Sequence, residues 1–536
     1  MCPRKSAHLR YHNSVLTYHV QNFGCRATQA DGAALEQQFD ARGLASAPAA
    51  QADIVLLNTC TVTNSADQDA RAAIRRITRQ NPLAKIIVTG CYAQRAPHEI
   101  AALPGVAAVI GNSHKHQLAD LVLRILSDLG RRSASSAALD PINSIAATAA
   151  EGLAFLPLAN LTAQAQGPRL FVSDIFAHTE LLAAPVFESA DTAASHPNHR
   201  TRPNLKIQDG CDNRCSFCVI PSVRGHSRSL LPHQVIREMN TLVAAGYHEV
   251  VISGINLGRW GRDLMWSGPS PAPKLARNNP PQSFEDLIRL ILSDTQLEKL
   301  RISSVEPMDW SDDLISLVAS SPRIAKHAHV PLQSASDAVL RRMHRKYRPW
   351  HYREKIEKIR AAMPTAAIGA DVMAGFPGET DAEFESTRRL VEDLPFTYLH
   401  VFTYSARPGT PAAAMPNPVP VHVARERAKI LRDLADSKKQ IFLHSFIGKP
   451  LEAITLGTCG AGTPAREGLG APGPANDSAS ESEPEVSSLP LTEALTDNYQ
   501  KLFVKGRHAP NRWITAHIEK VKDGALVGTP ASPQSM

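Results

Sequence analysis

The chain lacks any long run of apolar residues. Nowhere in its 536 residues does a window approach the roughly 18 consecutive apolar residues that span a bilayer, which excludes an integral membrane protein. The N-terminal stretch MCPRKSAHLRYHNS is basic but has no apolar segment behind it, so no secretory signal is predicted and a cytoplasmic location is expected. The G-x4-G-K-[ST] pattern of P-loop nucleotidases is also missing, which excludes that class.

No charge of one sign dominates the composition. Hydrophobic residues are 43% and charged residues 20% of the chain, which excludes wholesale disorder and a fibrous protein. Lys and Arg number 58 against 51 Asp and Glu, so the net charge is +7. A basic balance permits a polyanionic partner such as RNA, although a slightly basic enzyme explains it more simply.

Cysteines are also few, and their placement is informative. Eight cysteines in a chain of this length are too few for a disulfide scaffold and point instead to metal binding or catalysis where they cluster. Cys25, Cys60 and Cys91 each close a short apolar run rich in β-branched residues, at separations of 35 and 31 residues. Because parallel strands end at one edge of a sheet, these cysteines are expected to converge. Three buried, inert cysteines are the alternative.

The pattern of strands and helices predicts an α/β protein of about three domains. Repeated strand-then-helix units predict an open parallel α/β domain, and six further units predict a complete or partial parallel barrel. A last group of short strands predicts a small β-barrel. The predicted segments are 15–127 (α/β domain), 128–200 (linker or insertion), 201–445 (barrel) and 446–528 (β-barrel).

Three stretches are predicted insertions. They are rich in Pro, Gly, Ser or Ala and lie at about 133–200, 267–282 and 457–490. The run LFVSDIF at 170–176 is predicted to be one strand inside the first insertion. Cys459 lies in the third insertion and Cys2 at the terminus, so neither is expected to be a ligand.

The run CDNRCSFC places Cys211, Cys215 and Cys218 in a C-x3-C-x2-C pattern after a predicted strand. Three thiolates at this spacing can hold three irons of a [4Fe–4S] cluster and leave one iron open to the amino and carboxylate groups of S-adenosylmethionine (SAM). A structural zinc site with His226 as the fourth ligand is the alternative. Zinc sites more often contain two C-x2-C units, and this run contains only one, so the pattern favours an iron–sulfur cluster.

The chain resembles a known family at these residues. C-x3-C-x2-C at the first strand of a βα barrel resembles the signature of the radical SAM superfamily, and KIQDGCDNRCSFCVIPSVRGHSRS resembles its methylthiotransferases. Further blocks are similar to that family's motifs and follow in its order: NTCTVTNSAD (58–67), HVPLQSASDAVLRRMHRKY (329–347), GADVMAGFPGET (369–380), VFTYSARPGTPAA (401–413) and TDNYQKLFV (496–504).

The resemblance implies an enzyme with two [4Fe–4S] clusters and SAM. The auxiliary cluster would be held by Cys25, Cys60 and Cys91, and the radical SAM cluster by Cys211, Cys215 and Cys218. The C-terminal barrel would be of the RNA-binding TRAM type. The implied partners are tRNA, a one-electron donor of the flavodoxin or ferredoxin class and a sulfur source, with no membrane.

NTCTVT, SSVEP (303–307) and TDNY look most similar to the branch that inserts a methylthio group at C2 of N6-threonylcarbamoyladenosine next to the tRNA anticodon. Sister branches act on isopentenyladenosine at the same position or on an aspartate of a ribosomal protein, and both remain alternatives. A non-catalytic, zinc-containing RNA-binding protein is a remote alternative.

The resemblance also suggests SAM contacts at the carboxyl ends of barrel strands. The candidates are Asn256, Ser304, Glu306, Gln333 and Asp371. Each could instead be a polar residue that caps a strand or a helix. Thr28 stands where the family usually has Asn, which puts the local hydrogen bonding near Cys25 in doubt.

Basic residues near the barrel motifs are candidate phosphate contacts, with Tyr347 or Trp350 stacking on a base. A solvated helix face with core aromatics is the alternative. The basic candidates are Arg224, Arg228, Arg341, Arg342, Arg345, Lys346 and Arg348, with Lys501, Lys505, Arg507 and Arg512 in the C-terminal barrel.

Overall fold

The structure is a computed structural model that describes residues 10–11, 14–137, 168–178, 201–264, 283–456 and 490–531. These residues form two compact units. The first contains the described parts of 1–185, 208–228 and 405–413, and the second those of 186–207, 229–404 and 414–536. Cys2, Cys459, the predicted insertion at 267–282 and nearly all of that at 457–490 lie outside the described residues.

The first unit is built on a six-stranded sheet in which every neighbouring pair is parallel, in the order β4-β3-β5-β6-β7-β8. The six strands are β3 (Thr17–Asn22), β4 (Ala45–Ser46), β5 (Ile54–Thr59), β6 (Lys85–Gly90), β7 (Val106–Ile110) and β8 (Arg169–Phe171). Before them in the chain, β1 (Arg10–Tyr11) and β2 (Ser14–Val15) form a separate antiparallel pair. Its helices are Arg26–Asp40, Asn64–Gln80, Cys91–Arg95, Pro97–Ala101, Leu118–Ala137 and Ile220–Arg224. The predicted open parallel α/β fold is confirmed.

Helices cover both faces of this sheet, which explains its continuous apolar strands. All six residues of β5 are buried. Ile54 and Leu56 point into one core, and Val55 and Leu57 point into the other. The predicted strand at 170–176 is correct only at its start, since β8 ends at Phe171 and a 3₁₀ turn follows at Ile175–Ala177.

The second unit contains six parallel strands of a partial barrel. The parallel strands are β9 (Asn204–Lys206), β12 (Glu249–Ser253), β13 (Lys299–Ile302), β14 (His327–His329), β15 (Ala367–Ala374) and β16 (Tyr398–Thr403). Between β9 and β12 in the chain, β10 (Gln208–Asp209) and β11 (Arg228–Ser229) pair with each other, and β10 belongs to the first unit. Two three-stranded sheets, β13-β12-β9 and β14-β15-β16, are linked by parallel bridges from Leu300 to Ile324 and from Ser304 to His329. The predicted partial barrel is therefore confirmed.

Helices alternate with these strands, and four of them begin after a Ser or Thr whose side chain caps the first turn. Thr380 accepts a hydrogen bond from the backbone N–H of Glu383, and Glu383 accepts one from the backbone N–H of Thr380. This reciprocal pair satisfies two N–H groups that the first helical turn leaves unpaired. The helices are Pro232–Ala244, Phe284–Asp294, Asp312–Ser320, Asp337–Arg342, Pro349–Ala362, Asp381–Asp393 and Val421–His444.

The C-terminal strands close into a five-stranded barrel in the order β17-β18-β19-β21-β20, consistent with a TRAM-like domain. Leu443 and Phe446, from the end of the last helix, pack with the residues inside this barrel. The strands are β17 (Pro450–Thr455), β18 (Leu491–Thr496), β19 (Lys501–Lys505), β20 (Trp513–Lys522) and β21 (Ala525–Pro530).

A buried ion pair joins the two barrels within the second unit. Arg301 and Glu249 are both fully buried, and the Arg301 Nε donates to Glu249 Oε1 at 2.6 Å. The same guanidinium donates to the Asp497 carbonyl at 3.0 Å, in the TDNY turn. Arg202 Nη1 lies 3.3 Å from Glu249 Oε1. Burial would raise the pKa of Glu249, but Arg301 and Arg202 outweigh burial and lower it.

We expect Glu249→Gln to lower the free energy of unfolding of the second unit by about 3 kcal/mol at neutral pH, because two guanidinium groups lose a buried partner. A carboxyl whose pKa is depressed by folding stabilises the protein above its ordinary pKa of 4.5. The gap between wild type and variant should therefore narrow as the pH falls below that value. Urea titrations at several pH values, followed by circular dichroism, check this. A gap that is constant with pH would contradict it.

Candidate functional site

Three cysteines lie at the ends of three adjacent strands of the first unit. Cys25 follows β3, Cys60 follows β5 and Cys91 follows β6, and these strands are neighbours in the sheet. Thr59 and Gly90, which precede Cys60 and Cys91, are paired in the register of β5 and β6. The strand ends therefore bring the three thiols to one edge of the sheet, as their spacing predicted.

Gly24 allows the first of these loops to approach the second. Its backbone has a φ of +105°, and a Cβ at this position would lie 2.4 Å from the Cys60 Cβ and 2.9 Å from the Cys60 Sγ. A residue with a side chain would be strained there and would also clash with Cys60. The neighbouring Cys25 is thus held beside Cys60 by a contact that only glycine permits.

The three thiols act on one another electrostatically. Cys60 and Cys91 are buried and Cys25 is exposed. Burial raises the pKa of the Cys60 thiol to about 12, with further contributions from Cys25 and Cys91. Thiols on three separate loops, with Cys60 acted on by both of the others, are a suitable donor set for an iron–sulfur cluster, because iron offsets the repulsion among thiolates.

Thr28 fills the position at which the sequence departs from the family. Its side chain is buried, and its Oγ1 lies 3.5 Å from the Cys25 Sγ. Its carbonyl accepts a hydrogen bond of 2.7 Å from Asn58 Nδ2. Threonine therefore supplies a hydroxyl beside Cys25, and the departure leaves a hydrogen-bonding group in place.

The second cysteine set lies in the loop between β10 and the helix Ile220–Arg224. Backbone hydrogen bonds fix this loop: Cys218 N–H donates to the Cys215 carbonyl and Cys211 N–H to the Gly225 carbonyl, both at 3.1 Å. The backbone N–H of Asn213 donates to the Cys211 Sγ at 3.4 Å. Such N–H···S contacts favour the thiolate, which is the form that binds iron.

Arg224 connects the two cysteine sets inside the first unit. Its side chain is 2% exposed, and its guanidinium donates to Asp209 at 2.9 Å and to Asp31 at 3.0 Å. Burial opposes its charge, but Asp209, Cys91, Asp31 and Cys25 outweigh burial and raise the pKa of Arg224. The cation is therefore permanent and lies close enough to stabilise thiolates of the first set.

The helix after Cys218 also packs directly against Cys91. Val219 and Val223 form a small apolar cluster with Cys91. Asn112 lies beside both parts, since its Nδ2 donates to the Val223 carbonyl at 2.8 Å and lies 3.6 Å from the Cys91 Sγ. The two cysteine sets thus belong to one continuous packed region of the first unit.

Arg407 is a residue of this region that sequence reasoning missed. It is fully buried, and its guanidinium pairs with Asp67 and donates to Thr61 Oγ1 at 2.7 Å. Arg95 also pairs with Asp67, at 3.0 Å. The two motifs NTCTVTNSAD and VFTYSARPGTPAA therefore meet at one carboxylate. The presence of both motifs in the sequence was the signal that could have led to Arg407.

Comparison with known proteins identifies the family. A model described as "Uncharacterized protein family UPF0004" matches residues 17–111, and the Radical SAM superfamily model matches 205–391. Threonylcarbamoyladenosine tRNA methylthiotransferase MtaB of Bacillus subtilis (strain 168) is 33% identical over 494 residues, covering 91% of this chain and 90% of that protein. The chain belongs to the radical SAM methylthiotransferase family.

Other relatives carry two different names. The MtaB of Rickettsia prowazekii (strain Madrid E) is 33% identical over 82% of this chain and 87% of its own length. The tRNA-2-methylthio-N(6)-dimethylallyladenosine synthase of Parafrankia sp. (strain EAN1pec) is also 33% identical, over 82% of this chain and 77% of its own length. Membership of the radical SAM superfamily implies SAM and one [4Fe–4S] cluster, which the loop with Cys211, Cys215 and Cys218 suits.

No helix in the described ranges combines the length and apolar character needed to cross a membrane.

The predicted SAM contacts of this methylthiotransferase lie on strands and strand ends of the second unit. Asn256 is buried and precedes a 3₁₀ turn after β12. Ser304 forms a parallel bridge beyond β13. Glu306 forms an ion pair with Arg345. Their roles as SAM contacts stay predictions.

Gln333 and Asp371 are in more unusual surroundings. Gln333 has a φ of 63°, a conformation that is uncommon for a residue with a side chain and that occurs at functional sites. Burial would raise the pKa of Asp371, but His329 and His400 outweigh burial and hold that pKa well below its usual range. Asp371 is thus an ionised carboxylate beside two imidazoles.

The predicted RNA contacts of this methylthiotransferase divide by exposure. Arg224, Arg345 and Tyr347 are buried, so their prediction as phosphate or base contacts is wrong. The Tyr347 hydroxyl instead donates to the Leu332 carbonyl at 2.5 Å, which is the role of a core aromatic. Trp350 is 57% exposed and stays a candidate for stacking, as do the remaining basic residues for phosphate binding.

Proposed function

We propose that this protein is a tRNA methylthiotransferase acting on C2 of N6-threonylcarbamoyladenosine next to the anticodon. The observation that carries the proposal is the similarity to the Bacillus subtilis MtaB over 91% of the chain. The meeting of two cysteine sets in one compact unit supports the same reaction class, since methylthio transfer needs two kinds of chemistry on one enzyme.

The proposal includes a second [4Fe–4S] cluster. Cys25, Cys60 and Cys91 would hold it, and Cys211, Cys215 and Cys218 would hold the radical SAM cluster. When bound, these clusters and SAM supply a methyl group, a site for sulfur and a one-electron source that activates an otherwise inert ring C–H.

The residues of the chain hold and tune these groups. Cys60 and Cys91 are buried and Cys25 is exposed, so the auxiliary site has a buried side and an open side. Arg224 places a permanent positive charge beside the Cys25 and Cys91 thiols. A neighbouring cation offsets part of the negative charge that a cluster held by cysteine thiolates carries.

A second candidate substrate is isopentenyladenosine at the same tRNA position. This second substrate is suggested by the name of the Parafrankia relative. That relative is as similar to this chain, at 33% identity, as the Bacillus subtilis relative is. The proposed tRNA substrate also implies a cytoplasmic location, a flavodoxin- or ferredoxin-like electron donor and a sulfur source as partners.

The test is an in vitro modification assay with the full chain, reconstituted anaerobically with iron and sulfide and supplied with SAM and a reductant. Two tRNA substrates are offered together, one carrying the threonylcarbamoyl and one the isopentenyl group. We expect the 2-methylthio product only on the first, measured by mass spectrometry of the digested nucleosides.

Cys459→Ala is the matched control and should retain full activity. A product on the isopentenyl tRNA alone would overturn the substrate in favour of the second candidate. Methylthiolation of a ribosomal-protein aspartate, with both tRNAs unmodified, would overturn the tRNA substrate altogether. Zinc in place of iron and sulfide would support the non-catalytic alternative.

A further inference from the structure

A carboxylate lies between two imidazoles on one face of the partial barrel. Asp371 on β15 is paired in register with His400 on β16. His329 on β14 is paired with Gly369, two residues before Asp371. Because side chains alternate along a strand, Gly369 and Asp371 project from the same face of the sheet. The register therefore places all three polar side chains side by side.

The distances among the three donors suit a shared metal ion. His329 Nε2 lies 3.2 Å and His400 Nδ1 lies 3.4 Å from the same Asp371 oxygen, Oδ1. Donors held about 2.0–2.2 Å from one divalent ion are separated by about 3.0–3.4 Å in cis or tetrahedral positions. All three donor atoms lie within 4.8 Å of one another. The side chain of His400 is 47% exposed, so its imidazole can rotate and shorten the distance between the two histidine nitrogens.

A second layer of hydrogen bonds orients His329. Its Nδ1 lies 3.0 Å from the Tyr398 hydroxyl, which leaves Nε2 directed at Asp371. Tyr398 is in turn fixed by His327 Nε2 at 2.7 Å. A Cβ on Gly369 would lie 1.9 Å from the Tyr398 ring, so glycine makes room for the tyrosine. Metal-binding histidines are commonly held by such a contact at their second ring nitrogen.

The gradient of exposure leaves one side of the cluster open. The His329, Asp371 and His400 side chains are 10%, 26% and 47% exposed. Two histidines and one carboxylate with an open side form the donor set of sites that bind a divalent transition ion together with water or a substrate atom.

We propose that His329, Asp371 and His400 form a mononuclear site for a divalent transition ion such as Zn²⁺, with no cysteine among its ligands. The site gives Asp371 a role other than the SAM contact predicted from the sequence. It does not depend on which nucleoside the enzyme modifies.

The test uses the full chain with its iron–sulfur clusters assembled, so that the cysteines are occupied. Wild type, His400→Gln, Asp371→Asn and His248→Gln are dialysed anaerobically against micromolar Zn²⁺, and bound zinc, iron and sulfide are measured. We expect about one zinc ion per chain in wild type and at least about a tenfold weaker zinc affinity in the first two variants, with unchanged iron and sulfide.

His248→Gln is the matched control, because His248 contacts a single carboxylate, Glu298, at 2.7 Å, and it should retain zinc. Zinc X-ray absorption gives a second readout: nitrogen and oxygen ligands are expected, whereas sulfur near 2.3 Å would place zinc at the cysteines and overturn the proposal. Zinc retention unaffected by either variant, or no zinc in wild type, would also overturn it. Zinc should raise the unfolding temperature of wild type but not of His400→Gln.

Discussion

Replacing Cys211, Cys215 and Cys218 together by alanine is expected to lower the iron of the anaerobically reconstituted protein from about eight to about four per chain. The reason is that each cysteine set would hold its own cubane cluster through three thiolates, and Cys25, Cys60 and Cys91 follow three neighbouring strands of their own sheet. Iron and sulfide analysis with the electronic spectrum measures this directly.

The single variants separate the two roles. We expect Cys215→Ala to abolish SAM cleavage, while Cys60→Ala spares some cleavage and abolishes sulfur insertion. The readouts are 5′-deoxyadenosine formation and the methylthiolated nucleoside. Cys459→Ala is the matched control and should leave both unchanged.

Two outcomes would contradict this division of labour. Iron falling from about four to none in the triple variant would mean that the strand-end cysteines hold no cluster and that the enzyme has a single one. Equal loss of SAM cleavage in Cys215→Ala and Cys60→Ala would mean that the two sets do not act separately.

Arg224→Met should destabilise the first unit by about 3–5 kcal/mol, because Asp209 and Asp31 would lose a buried cationic partner. Asp31 keeps Lys115 at 3.0 Å, so most of the cost falls on Asp209. The midpoint of thermal unfolding should fall by about 10 °C. Iron retention should also fall, since the same guanidinium lies beside Cys91 and Cys25.

Arg224→Lys should recover part of the stability, because it keeps the charge but loses the planar fork that reaches both carboxylates. Arg389→Met is the surface control: Arg389 is 71% exposed in its pair with Glu385, and Glu385 keeps Arg388 at 2.8 Å, so a change within about 0.5 kcal/mol is expected. Full stability and full iron in Arg224→Met would show that the guanidinium does not hold the two cysteine sets.

Much of the fold could be predicted from the sequence because its signals are local. Apolar runs that end in Cys25, Cys60 and Cys91 indicated three strand ends, and the structure has β3, β5 and β6 there. The C-x3-C-x2-C spacing and the family motifs likewise depend on residues close together in the chain. These features follow from the two-residue period of strands and the geometry of short loops.

The sequence alone thus determined the elements, the cysteine sets and the family. The tertiary structure decided which residues act on them. The neighbours of Arg224 in the sequence predict an RNA contact, but its side chain is buried and donates to Asp31, 193 positions away. Arg407 likewise donates to Asp67, 340 positions away. The His329, Asp371 and His400 cluster exists only because strand register aligns three strands. Buried charges need partners wherever the fold brings them, and no local pattern encodes such long-range pairing.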